Sequence, residues 1–165
     1  MRKLFIITAS LILLAGCSER EELKTAYYDN GNKKEEGYYR YGKKNGKWTW
    51  WYMNGRKKGE AIYKNGKKDG LTTWWYANGQ KEREGEFKKD KLNGKWTFWY
   101  ENGHKKVEET YRDGKADGKY ILWYENGKKK LEGHYKEGRR TGLWIYWNEY
   151  GELVYEIDYS GDKTE

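Results

Sequence analysis

A 24-residue period constrains this chain more than any other feature. The stretch Gly46–Asp69, GKWTWWYMNGRKKGEAIYKNGKKD, returns without insertion as Gly70–Asn93, Gly94–Asp117, Gly118–Thr141 and Gly142–Glu165. An earlier copy, Glu22–Asn45, keeps the second half of the unit and has lost the first. Asn54-Gly55 recurs as Asn30-Gly31, Asn78-Gly79, Asn102-Gly103 and Asn126-Gly127. Trp51 recurs as Trp75, Trp99, Trp123 and Trp147, and Glu60 as Glu36, Glu84, Glu108, Glu132 and Glu156. A fixed period of this length means stacked supersecondary units, each burying its face only against its neighbours.

Each unit reads as two strands. Trp48–Met53 is aromatic and β-branched, and Lys57–Tyr63 alternates. Asn-Gly between such runs predicts a two-residue type I′ hairpin turn, with both central residues at positive φ. That register pairs Trp51 with Lys58, Trp50 with Gly59, Thr49 with Glu60 and Trp48 with Ala61. A three-residue loop with a glycine bulge would move it by one. The second connection, Lys64–Asp69, reads as a glycine-bearing loop leading to Gly70.

One face then carries Trp48, Trp50 and Tyr52 with Gly59, Ala61 and Tyr63, large rings over small partners. This is the expected core face. Glu109, at the Ala61 position, is a misfit there. The other face carries Thr49, Trp51 and Met53 with Arg56, Lys58, Glu60 and Ile62. Its equivalents are mostly charged, apart from the five tryptophans. Lysine stems and cation–π contacts, such as Lys58 over Trp51 or Lys106 over Trp99, can cover those rings. Alternatively Trp51, Trp75, Trp99, Trp123 and Trp147, with Lys58, Lys106 and Lys130, form a partner-binding stripe. The expected fold is all-β: one elongated antiparallel meander of six repeats over 22–165, about eleven strands in a twisted or coiled sheet.

Composition agrees with folding. The chain has no proline and is 18% aromatic against 36% charged, whereas disordered segments are poor in aromatics. Its formal charge is +8, unevenly spread. The last unit has six acidic residues and one basic, as a water-facing solenoid cap should.

The pattern GxWxxWYxNGxKKxEGxYKxGKKxG resembles the MORN-repeat superfamily, most closely the bacterial MORN-variant repeat of YwqK-family proteins. The resemblance covers 22–165. It implies a scaffold that binds proteins or lipids, and the YwqK likeness implies an antitoxin-type role. At the N-terminus, Arg2 and Lys3 precede the apolar run Leu4–Leu14, too short to span a bilayer comfortably and flanked like a signal peptide. The following Leu14-Ala15-Gly16-Cys17 resembles the bacterial lipobox. It implies a lipoprotein signal peptide over 1–16, acylation of Cys17, a tether over 17–21, and a lipid-anchored protein of the cell envelope. Ser18 after that cysteine implies the outer membrane where there is one. Cys17 is the only cysteine, so no internal disulfide can form.

Catalytic chemistry is missing from the sequence. His104 and His134 occupy different positions of the unit, and no phosphate loop, nucleophile motif or metal-ligand cluster appears. No enzymatic activity, cofactor or metal is therefore expected. Basic residues among aromatics also suit nucleic acid, but an exported lipoprotein rarely meets it. The expected function is protein–protein interaction by a membrane-anchored, non-enzymatic repeat protein. The alternatives are an antitoxin or immunity role, and glycan or anionic-lipid binding along the aromatic and basic face.

Overall fold

Strands joined by connections of two or three residues can pair only with their sequence neighbours, and that is the arrangement found. A computed structural model describes residues 21–161. Its strands are β1 (Glu21–Tyr27), β2 (Lys33–Arg40), β3 (Lys43–Trp51), β4 (Lys57–Lys64), β5 (Lys67–Trp75) and β6 (Lys81–Lys88), followed by β7 (Lys91–Trp99), β8 (Lys105–Arg112), β9 (Lys115–Trp123), β10 (Lys129–Lys136), β11 (Arg139–Trp147) and β12 (Leu153–Asp158). They form one antiparallel sheet in the order β1 to β12. The expected signal peptide over 1–16, the lipobox-like ending and Cys17 lie outside the described residues.

There are twelve strands rather than eleven because the first copy is more complete than expected. Glu21–Tyr27 is a full strand paired with β2, with Thr25 opposite Glu36 as Thr49 is opposite Glu60. It also absorbs Glu21, which was expected in the tether.

The core register is as expected: Trp48 faces Ala61, Thr49 faces Glu60 and Trp50 faces Gly59. The turns, however, are exchanged. Of the Asn54-Gly55 pair only Gly55 is left-handed, at φ 82°. The Tyr52 N–H donates to Arg56 O and the Gly55 N–H to Tyr52 O, at 2.8 and 2.9 Å. This is a three-residue loop, a type I turn closed by a left-handed glycine. It shifts Trp51 to face Lys57, and a bulge there restores the register by Trp50. The two-residue turns with positive φ at both centres are the other connections: Asn65-Gly66 (53° and 86°), Asp113-Gly114 (50° and 87°) and Glu137-Gly138 (50° and 85°). The stretch expected as loop therefore continues as strand, Lys67–Trp75. It contains a bulge at Gly70, whose φ of 130° excludes most side chains.

The bulge has a packing use. At the equivalent bulges beside Gly46 and Gly94 the core indole reaches a carbonyl of the neighbouring strand, Trp48 Nε1 donating to Tyr38 O at 3.1 Å and Trp96 Nε1 to Glu86 O at 3.0 Å, whereas Trp144 Nε1 makes no such bond among the described residues. One row across the sheet runs Gly37, Trp48, Ala61, Thr72 and Gly85, and on through Trp96, Glu109, Tyr120, Gly133 and Trp144. Trp48, Trp96 and Trp144 are 1%, 3% and 0% exposed in a one-layer sheet. Neighbouring rings achieve this, for example Tyr39 against Trp48 and Phe87 against Trp96, both edge-on with centroids at 5.1 Å.

Successive hairpins are joined by side chains as well as by ladder bonds. Tyr28, Tyr52, Tyr76, Tyr100 and Tyr124 each donate the phenol hydrogen to the carbonyl of the next hairpin's tryptophan, Trp51 through Trp147, at 2.7–2.9 Å. Tyr100→Phe removes one such bond and should cost about 0.5–1.5 kcal/mol, read as a lower midpoint in urea. The terminal strand departs from a polar cap. Leu153, Val154 and Tyr155 of β12 are 58%, 55% and 49% exposed, although its repeat is acidic.

Candidate interaction surfaces

The sheet offers two faces and two edges. The tryptophan row lies on the charged face, every ring half-buried. Each carries the lysine of the preceding hairpin: Lys33 over Trp51, Lys57 over Trp75, Lys81 over Trp99, Lys105 over Trp123 and Lys129 over Trp147, at 5.5–6.0 Å from the centroids. Lys58, Lys106 and Lys130 are elsewhere. They lie over Tyr52, Tyr100 and Tyr124 on the opposite face, at 5.5, 5.4 and 5.0 Å. The pairings Lys58 over Trp51 and Lys106 over Trp99 are therefore not formed. The reason is the bulge beside the three-residue loop, which brings Lys57 opposite Trp51 in place of Lys58.

The lysines over the tryptophans are fixed by carboxylates. Glu60 takes Lys47 at 2.9 Å and Lys57 at 2.6 Å. Glu108 takes Lys95 and Lys105, and Glu132 takes Lys119 and Lys129. Burial works against the charge of these glutamates, but the hydrogen bonds and charges of the paired lysines outweigh it. All three carboxyls end below their usual 4.5. A depressed folded pKa contributes stability that is present above the unfolded value and lost as pH falls through the folded one. Thermal midpoints should therefore be flat near neutrality and drop below about pH 4.5. The triple change Glu60→Gln, Glu108→Gln, Glu132→Gln should lower the neutral midpoint and flatten that acid limb.

On the ring face, cations are drawn inward. Lys44 Nζ sits 3.8 Å from the Trp48 centroid, 5.2 Å from Trp50 and 5.3 Å from Tyr63. Burial in this box lowers its pKa. Arg140 repeats the arrangement 4.2 Å from the Trp144 centroid, donating to the Tyr146 hydroxyl at 2.8 Å.

The edge formed by the two-residue turns carries the strongest charge. Its turns are closed by cross-strand pairs that are basic on both sides: Arg40–Lys43, Lys64–Lys67, Lys88–Lys91, Arg112–Lys115 and Lys136–Arg139. Consecutive turns are two strands apart, about 9–10 Å. Like charges directly opposite one another destabilise a sheet, so this edge is held against a cost. Asp117 lies 3.9 Å from Arg112 and 3.7 Å from Lys136, and Glu137 lies 3.2 Å from Lys115. Among the described residues, Lys64, Lys67, Lys88 and Lys91 have no ion-pair partner.

Sequence reasoning missed this edge. The signal was present in Lys64-Asn65-Gly66-Lys67, Lys88-Lys89-Asp90-Lys91 and Arg112-Asp113-Gly114-Lys115, each a turn dipeptide between two cations. Reading the segment as an open loop hid the pairing.

These features define a class first: a one-layer antiparallel repeat sheet in which every hairpin repeats the contacts of the last. The chain belongs to the MORN repeat variant family, whose repeat matches residues 23–41, 44–65, 68–89, 92–113 and 116–137. The four matches from residue 44 onward each span one β-hairpin, from β3–β4 to β9–β10. The last hairpin, β11–β12, lies outside the matched segments. No curated protein matches the chain.

Proposed function

We propose that this chain is a membrane-anchored, non-enzymatic scaffold of the cell envelope that binds an acidic protein partner along its basic turn edge. The observation that carries the reading is the run of five doubly basic turns, kept although each places like charges together. MORN-type repeats mediating protein or membrane contacts support it, as does the lipobox resemblance ending at Cys17. The tryptophan row supplies a second contact surface, with one half-exposed ring per hairpin.

Two measurements test the reading. Cys17→Ser should abolish fatty-acid labelling and release the protein from membranes with its repeats folded, because no other cysteine is present. A labelled or membrane-retained Cys17→Ser protein overturns the anchor. Pull-down from crosslinked envelopes should recover one acidic protein reproducibly, and recovery of none overturns the scaffold.

The same edge favours a second reading, contact with anionic lipid headgroups beside the anchor. Exposed charges are screened beyond roughly 10 Å at 0.1 M salt. In this reading the protein should sediment with anionic vesicles at low salt and be released by moderate salt.

A further inference from the structure

The tyrosines that tie the hairpins together are capped by a lysine in every copy but one. Lys34, Lys58, Lys106 and Lys130 lie over Tyr28, Tyr52, Tyr100 and Tyr124 at 5.0–5.8 Å. Opposite Tyr76 the equivalent residue is Glu82. Among the described residues, Glu82 makes no hydrogen bond or ion pair. A second departure stands beside it. Where other copies have Gly37, Ala61, Gly85 and Gly133 beneath or between rings, this region has Glu109. Glu109 Oε2 accepts the Tyr111 hydroxyl hydrogen at 2.7 Å, while Oε1 accepts none.

Both departures border one open cleft of about 280 Å³, lined by Tyr76, Glu82, Phe98, Val107, Glu109 and Tyr120 together with Trp99 and Lys106. Lys106 Nζ is engaged over Tyr100, 5.4 Å from its centroid. Over Tyr76 the cation supplied in the other copies is replaced by a carboxylate, and Glu109 adds a second, so the lining holds two carboxylates and one lysine, Lys106, over an aromatic floor. Burial, followed by the charges of Glu82 and Glu101, raises the Tyr76 hydroxyl pKa, in keeping with a negative field at this wall.

We propose that this cleft binds an alkylammonium group, specifically the side chain of a lysine presented by a protein partner. The repeats themselves show the chemistry of the seat, since they fill the equivalent position with lysines of their own. The apolar stem lies against Tyr76, Phe98 and Tyr120, and the ammonium meets Glu82 and the free Oε1 of Glu109. A cation held over ring faces is attracted by their quadrupoles, and the volume suits one side chain rather than a length of backbone. The site is acidic and on the ring face, so it is independent of the basic turn edge and of the anchor.

The test uses the full repeat chain, with ring resonances of Tyr76, Phe98 and Tyr120 followed by NMR. The probe is Nα-acetyl-lysine methylamide, compared with n-butylammonium and the uncharged n-pentanol. Saturable shifts confined to these rings are expected with the lysine amide, and none with pentanol. Glu82→Lys restores the residue of the other four copies, so the protein should fold normally and bind at least about tenfold more weakly. Glu109→Gly, the residue of three other copies, should weaken binding in the same direction. Equal shifts with pentanol, or undiminished binding in Glu82→Lys, overturn the cation site. Clear preference for n-butylammonium over the lysine amide overturns a protein lysine as the occupant.

Discussion

Trp144→Ala should destabilise the protein by about 3–5 kcal/mol, the cost of emptying a fully buried aromatic site. Trp144 is 0% exposed and is wedged edge-on against Tyr135 and Tyr159, with centroids 5.0 and 6.3 Å away. Trp96→Ala belongs to the same class, at 3% exposure. Trp123→Ala should cost much less. Its ring is half-buried on the charged face beneath Lys105, where a cation–π contact is worth about 0.5–1 kcal/mol. Denaturant midpoints of the three variants make the comparison within one fold, and partner capture should fall more for Trp123→Ala than its midpoint does. If Trp123→Ala unfolds the chain as readily as Trp144→Ala, the tryptophan row is core and no binding stripe exists.

Gly133→Ala should be nearly as damaging through a single added methyl. A Cβ at this position would lie 2.3 Å from Trp144 Cδ2, closer than side chains approach one another. The indole is closed in by Tyr120 on one side and by Tyr135 and Tyr159 on others, so it has little room to yield. The cost should lie at or above the top of the ~1–3 kcal/mol range for overpacking. Pairing the change with Trp144→Leu should cost less than the two separate losses added together, because the smaller side chain relieves the clash. Strict additivity in that cycle would mean that the glycine is required for some reason other than the ring above it.

Much of this architecture was legible from the repeats. The period itself specified a meander, and alternating Trp48, Trp50 and Tyr52 against Gly59 and Ala61 placed the core face and its register correctly. The turn chemistry was not legible, and the cause is physical. Asn54 does not take a left-handed conformation. Its Oδ1 instead accepts the Arg56 N–H at 3.0 Å. The equivalent Asn78, Asn102 and Asn126 also donate Nδ2 to a carbonyl of the next hairpin at 2.8–3.0 Å. Those partners lie 23 residues away, so a dipeptide rule cannot see them. The opposite turns run left-handed even at Tyr41 and Glu137, with φ of 49° and 50°. Side chains there give no cue that a tight turn is present.

The site was legible only in part for the same reason. A one-residue bulge after the three-residue loop moves Lys57 onto the tryptophan face and turns Lys58, Lys106 and Lys130 toward the tyrosines. The pairing of Lys64 with Lys67 or Lys88 with Lys91 exists only once the tight turn is known. Glu109 did stand out from the sequence, because a carboxylate at a glycine position violates the packing rule of the row. Glu82 did not, since a glutamate among lysines on a strand reads as an ordinary solvated charge.

The basic turn edge is the centre of the functional account, and one variant addresses it directly. Lys43→Glu, Lys67→Glu and Lys91→Glu together turn three like-charged cross-strand pairs into opposite-charged ones. Each pair should gain roughly 0.2–1 kcal/mol relative to a neutral pair. Partner capture from crosslinked envelopes should be compared with the parent, alongside the thermal midpoint. The account predicts an unchanged or raised midpoint with capture lost. Capture at the parent level by this stably folded variant would contradict the edge as the binding surface.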